Sequence, residues 1–211
     1  DSSTSRGLGD VYKRQIQEVV KEVDKDYMFY EESFGGVTLS GGEVMVQDME
    51  YIVALLKKLK RKGYHVTIDT CGYAPQENFE KVFPYVDTFL YDIKLMDDEK
   101  HKKYMGQSNE MIFTNLKYLS EQGARIYIRI PVIGGVNDSD KDIEAIIEYL
   151  KGNIAVAQVN LLPYHDIATS KYERLGLEYR GAEFTVPDNE RMEELKYKFI
   201  QNGFSNTKIG G

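Results

Sequence analysis

The stretch Gly35-Gly36-Val37-Thr38-Leu39-Ser40-Gly41-Gly42-Glu43 decides how the rest of the chain is read. A short β-branched run leads into a small polar residue, a glycine pair and an acid. An amphipathic helical pattern begins within a few residues. A glycine pair lets the backbone turn sharply and brings bare N–H groups close to a ligand, where a side chain would block the approach. By itself such a pair is a turn signal. It gains weight because later strands end in polar residues of the same kind.

Working outward, the pattern before this stretch is helical. Ile16, Val19, Val20 and Val23 recur at the spacing of one helix face, which predicts a helix to about Phe29. After it, Met49, Ile52, Val53, Leu56 and Leu59 form an apolar stripe. Lys57, Lys58, Lys60 and Arg61 lie outside the stripe in the last turns, where cations complement the helix dipole, and Gly63 is the stop. The unit then repeats. Strands are expected over Tyr64–Thr70, Val86–Asp92, Arg125–Ile130 (stopped by Pro131) and Val156–Leu162. Between them lie helical patterns around Phe79 to Phe83, Asp98–Tyr104, Glu110–Gln122, and one capped by Asp138 or Ser139 with Ile143, Ile146, Ile147 and Leu150 inside. A last helix starts near Pro187-Asp188, carries Met192, Leu195 and Phe199, and stops at Gly203.

Strand, loop and helix in alternation imply parallel strands with right-handed crossovers, in a sheet that curls into a barrel or opens doubly wound. No domain boundary is expected after residue 16. Residues 1–15 have no sustained period and read as a polar tail, and Gly9 to Gln15 resembles translated adapter sequence from genes assembled out of environmental DNA. The expected native core is therefore 16–211, with its N-terminal part missing.

Bulk properties narrow the function. At 211 residues, 42% hydrophobic and 29% charged, the chain has the composition of a globular protein with ample core. A net charge of −7 argues against a broad nucleic-acid surface. No apolar run reaches the roughly 18 residues of a membrane span, and no signal-peptide core is present, so a cytoplasmic location is expected. Cys71 is the only cysteine. These residues therefore form no internal disulfide, and they cannot supply the several thiolates of an iron–sulfur cluster or thiolate zinc site.

In parallel α/β folds the loops at the C-terminal strand ends face one side, and active sites form there. In order, those ends offer Ser40-Gly41-Gly42-Glu43, Asp69-Thr70, Asp92-Ile93-Lys94, Arg129 with Pro131, and Asn160 to His165. Glu43 with nearby backbone groups could hold an ammonium, Lys94 a carboxylate, and Asp69 an amine or hydroxyls. Together they describe a zwitterionic, amino-acid-like ligand. His165 could pack beside a heterocycle or move a proton. Each group also has an ordinary structural reading. Glu43 could be a helix-start acid, Asp69 and Asp92 turn residues capping the next helix, Lys94 a surface lysine, His165 an exposed loop residue and Cys71 half-buried filler. His65, at the start of a strand, and His101, on an exposed helix, are not candidates.

These residues carry a resemblance. Gly36 to Glu43 resembles the Gly-Gly-Glu motif of radical S-adenosylmethionine enzymes, and more narrowly of the enzymes that activate glycyl-radical enzymes, the pyruvate formate-lyase activating enzyme group. Ile68 to Tyr73, Tyr91 to Lys94, Arg129 to Val132, Val136-Asn137-Asp138 and Leu161 to His165 match that group in order and spacing. The likeness runs from about Ile16 to Gly211. It implies a partial (β/α)6 TIM-like barrel of parallel strands, lacking the first strand and its cluster loop. It also implies that Ser40, Gly41, Gly42 and Glu43 bind the methionine amino end of S-adenosylmethionine with Asp69 assisting. Lys94 would take the carboxylate, His165 would lie against the adenosine, and Arg129 would be near the site.

The implied activity is cleavage of S-adenosylmethionine by an electron from a [4Fe–4S] cluster, with hydrogen abstraction from a glycine of a partner enzyme. The implied partners are a formate-lyase or related lyase and an electron donor such as flavodoxin or ferredoxin. Two departures are small: Val44 and Gly134 stand where the group usually has proline. The large one is the absent Cys-x3-Cys-x2-Cys loop that holds the cluster, so this polypeptide is expected to be inactive although its parent is an activase. Two other readings stay open: a cofactor- or partner-binding module without catalysis, and a barrel lyase using Lys94 as a Schiff base.

Overall fold

The computed structural model describes residues 14–33, 35–164 and 184–210. The strands are β1 (Val37–Leu39), β2 (Val66–Thr70), β3 (Thr88–Asp92), β4 (Ile126–Val132), β5 (Val156–Pro163) and β6 (Thr207–Ile209). They follow one another in the sheet in chain order. The registers of β1 with β2, β4 with β5 and β5 with β6 are parallel. This is the expected α/β architecture, with β6 added. The chain forms two compact units, Asp1–Phe89 and Leu90–Gly211, with the division inside β3.

In the first unit, helix α1 covers 14–23, a 3-10 turn covers Asp24–Asp26, and helix α2 is Tyr27–Ser33. Arg14 and Gln15 are thus already helical. Ile16 and Val20 are buried, whereas Val19 of the expected stripe is exposed. Asp24 anchors the segment, accepting from Lys62 Nζ and Tyr64 Oη, each at 2.7 Å. Tyr27 and Tyr30 pack edge-on against the Tyr64 ring. Burial, then the bond to Asp24, pushes the Tyr64 hydroxyl up to about 12.

Helix α3 (Met49–Arg61) starts where Asp48 accepts from the N–H groups of Glu50 and Tyr51, and it buries Ile52, Leu55, Leu56 and Leu59. Gly36 is set by a close approach: a Cβ there would overlap the His65 carbonyl, which accepts from Val37 N at 2.8 Å. In β2, Val66, Ile68 and Thr70 are buried while Thr67 and Asp69 are half-buried, so the period-two alternation gives Asp69 to the less covered face. Helix α4 (Gln76–Val82) follows, with buried Asn78 donating to the Met45 carbonyl.

In the second unit, α5 is Asp98–Met105, α6 Glu110–Glu121, α7 Asp140–Asn153 and α8 Asn189–Gln201. Ser139 is the cap of α7, and Ile143, Ile146, Ile147 and Leu150 are its buried face as the spacing predicts. Two expectations fail here. His101 is buried, with Nδ1 donating to the Gln107 carbonyl at 2.7 Å, because Gly106 turns the chain back over that face. Pro131 does not stop its strand, since β4 continues to Val132. The Arg129 carbonyl accepts from Ile93 N, so alternate residues of β4 point their backbone toward β3, which has already ended at Asp92. Pro131 therefore has no ladder bond to lose. In β4 the residues Ile126, Ile128, Ile130 and Val132 are fully buried, and Tyr127, Arg129 and Pro131 take the opposite face.

Candidate functional site

The first unit gathers Ser40, Glu43, Asp69 and Thr70 at the ends of β1 and β2. Gly41 and Gly42 have φ of 97° and 59°, and a Cβ on either would meet nothing within 4 Å. The turn is thus left-handed, glycine-dependent and open above. Glu43 closes it. Its Oε1 accepts from Met45 N at 3.0 Å and Thr70 Oγ1 at 2.7 Å, and its Oε2 accepts from Cys71 N at 2.8 Å. The helix-start reading of Glu43 is therefore partly right, since the Met45 bond caps a 3-10 turn over Val44–Val46. Val44 is the first residue of that turn, a position where proline is equally at home. A carboxylate has about four acceptor positions, so among the described residues three donors leave one on Oε2. Ser40 Oγ donates to Asp69 Oδ2 at 2.9 Å, joining the two strand ends a second time.

The second unit gathers Asp92, Lys94, Arg129 and Asn137. Arg129 donates through Nε (2.8 Å) and Nη2 (2.7 Å) to Asp92 Oδ1, and both side chains are under one-fifth exposed. Lys94 Nζ stands 4.0 Å from Asp92 Oδ2, outside hydrogen-bond reach. Asn137, 1% exposed, donates to the carbonyls of Lys94 and Pro131, and its Oδ1 accepts from Ile133 N. Gly134, the second departure from proline, uses its N–H to donate to the Thr185 carbonyl at 2.9 Å, a bond that proline could not make. His165 lies outside the described residues. Its neighbour Tyr164 packs edge-on against Phe184.

The sequence profile of the radical SAM superfamily matches residues 2–150. The chain belongs to the radical SAM superfamily. It is 52% identical over 198 residues to the trans-4-hydroxy-L-proline dehydratase activating enzyme of Clostridioides difficile, a match spanning 93% of this chain and 65% of that protein. It is 43% identical over 195 residues to the choline trimethylamine-lyase activating enzyme of Oleidesulfovibrio alaskensis, spanning 89% and 63%. Among solved structures, a domain of pyruvate-formate lyase-activating enzyme from Bacteroides vulgatus superposes with a TM-score of 0.71 at 30% identity, covering 84% of this chain and 99% of that one. The chain thus spans somewhat under two thirds of the length of these curated relatives.

The superfamily uses S-adenosylmethionine and a [4Fe–4S] cluster. The two groups fit this chain differently. The first unit offers an open glycine turn and unspent carboxylate capacity, which suit an ammonium, and the second offers a lysine ammonium not hydrogen-bonded to its acidic neighbour, which suits a carboxylate. A cluster does not fit the donor set, since Cys71 is the single thiol of the 211 residues. Thr70 and Asp92 stand in the sequence as strand-end polar groups, Asp92 also as a turn residue capping the next helix, and Asn137 as part of a motif, none of them with an assigned role at the site. Asn109, 5% exposed and donating to the Leu95 and Met96 carbonyls, carries no such sequence signal.

Proposed function

We propose that this chain carries the S-adenosylmethionine-binding part of an enzyme that activates a glycyl-radical enzyme. The observation that supports this most is the Gly41-Gly42 turn locked to the end of β2 by Glu43. In this reading the substrate's ammonium takes the remaining acceptor position on Glu43 Oε2, helped by the carbonyls of the Ser40-Gly41-Gly42 turn and by Asp69. Lys94 takes the carboxylate. Arg129 neutralises Asp92, which otherwise would repel that carboxylate. His165 lies against the adenosine. A [4Fe–4S] cluster, where the superfamily has one, would supply the electron for cleaving S-adenosylmethionine, and no step of that kind is assigned to these residues.

The partner is a glycyl-radical dehydratase or lyase of the kind named in the relatives, with a flavodoxin- or ferredoxin-type electron donor. The chain by itself is inactive, because three cluster thiolates are needed and it has one. The Lys94 Schiff-base reading finds no support: such a lysine works from an apolar pocket, and Lys94 is about one-third exposed beside a carboxylate.

Equilibrium dialysis with labelled S-adenosylmethionine tests the reading. Wild-type chain should bind, with Lys94→Ala and Asp69→Ala each weakening binding about tenfold, the size of one lost charge-assisted contact. Absence of binding by the folded wild type overturns it. Anaerobic incubation with iron and sulfide should give no cluster absorbance.

A further inference from the structure

Lys94 is the cation on which the carboxylate assignment depends, yet among the described residues its side chain is anchored by nothing closer than Asp92 at 4.0 Å. Its backbone is what is fixed. Three successive carbonyls after β3 each accept from a buried asparagine amide. Asn137 Nδ2 donates to Lys94 at 2.7 Å, and Asn109 Nδ2 donates to Leu95 at 3.0 Å and Met96 at 2.9 Å. Asn137 uses its second N–H on the Pro131 carbonyl at 2.8 Å and its oxygen on Ile133 N at 2.7 Å. One amide thus joins the second residue after β3 to the end of β4. Asn109 is tied in turn, its backbone N–H donating to Asp98 Oδ1 at 2.9 Å. The two asparagines are 1% and 5% exposed, so their donors have no competition from water.

We propose that Asn137 and Asn109 form a backbone clamp that positions Lys94 for a ligand carboxylate, neither touching the ligand itself. This rests on the reading of Lys94 as the carboxylate partner. A lysine has four rotatable side-chain bonds, so it selects a ligand position only if its Cα is held. Asparagine suits the task because it supplies two donors and an acceptor with no charge to desolvate. Aspartate has the same shape and no donors. Asn137→Asp therefore sets an acceptor against two carbonyls.

The test uses the full chain and S-adenosylmethionine as probe. Asn137→Asp should weaken binding about tenfold, because misplacing a binding group by a fraction of an ångström is costly. On a Lys94→Ala background the same substitution should add less than about twofold, since the group it positions is gone. Without ligand, amide exchange at Leu95 and Met96 should rise about tenfold in Asn137→Asp, while Ile133, whose acceptor the carboxylate keeps, changes little and the circular dichroism spectrum is kept. If Asn137→Asp does not fold, Asn109→Ser serves in its place, freeing only the Leu95 and Met96 carbonyls. Unchanged affinity in a folded variant overturns the clamp, and so does an equal loss with and without Lys94, which marks a merely structural role. Wild-type chain that fails to bind overturns the Lys94 reading instead, and the exchange measurement then decides the clamp alone.

Discussion

The two units present their charged groups in opposite ways. In the first, the acid is held by its own side chain: Glu43 accepts from Met45, Thr70 and Cys71 and has little capacity to spare. In the second, the cation is held through its backbone: Lys94 is pinned at its carbonyl by Asn137, and its ammonium stands clear of hydrogen-bond reach of Asp92. Among the described residues the carboxylate is nearly saturated, and the ammonium has no hydrogen bond to its acidic neighbour. Availability for a ligand is therefore counted in remaining lone pairs and donors, not in residue type. The difference also divides the consequences of mutation. Changes at Glu43 should act first on stability, and changes at Lys94 first on binding.

Glu43→Ala should break the comparison most severely. It removes the shared acceptor of the Thr70 hydroxyl and the Met45 and Cys71 N–H groups, a loss of about 3 kcal/mol or roughly 6–12 °C in Tm, read by thermal denaturation. Lys94→Ala should leave Tm within about 2 °C, since a partly exposed lysine 4.0 Å from its anion and outside hydrogen-bond reach contributes little. Asp92→Asn is intermediate. It weakens both bonds from a mostly buried Arg129 guanidinium and should cost about 1–2 kcal/mol, with Lys94 losing its nearest anion.

Smaller effects lie away from the site and appear as pH dependence. Lys102, then the Asn109 N–H and Ser108, hold the Asp98 carboxyl at about 2. A depressed folded value gives stability that is present above the unfolded value near 4 and is lost as pH falls through about 2. Asp98→Asn should therefore flatten the Tm–pH curve between about pH 4 and 2. At the alkaline end the sign reverses. Tyr64 is raised to about 12, so its contribution is full below its unfolded value near 10 and is lost as pH climbs through about 12. Tyr64→Phe should flatten that limb, measured in the same way.

Much of the fold was legible because parallel strands and their helices print strong periods. The stripe Ile143, Ile146, Ile147 and Leu150 and the run Ile126 to Ile130 are unambiguous. Strand β6 was not, because Thr207-Lys208-Ile209 is too short to show a period and is a strand only through its register with Val159 to Leu161. Pro131 misled for a related reason: whether proline ends a strand depends on whether a neighbour is there to receive its missing N–H. His101 shows the same limit, since its burial comes from a chain reversal at Gly106. At the site, strand-end position picked out Glu43, Asp69, Lys94 and Arg129 correctly as polar groups beyond the core. It could not show that Glu43 is engaged three times over or that two asparagines hold the Lys94 loop. Apart from the local Met45 bond, those join residues 13 or more positions apart, and a sequence carries no record of them.

Hydrogen exchange on the full chain with and without S-adenosylmethionine tests the central claim most directly, because it reads both units in one experiment. The account predicts added protection at Gly41 to Glu43 and Asp69 to Gly72 in the first unit, and at Lys94 to Met96 in the second, each reduced in Lys94→Ala. Protection confined to other segments, or none at saturating cofactor, would contradict it.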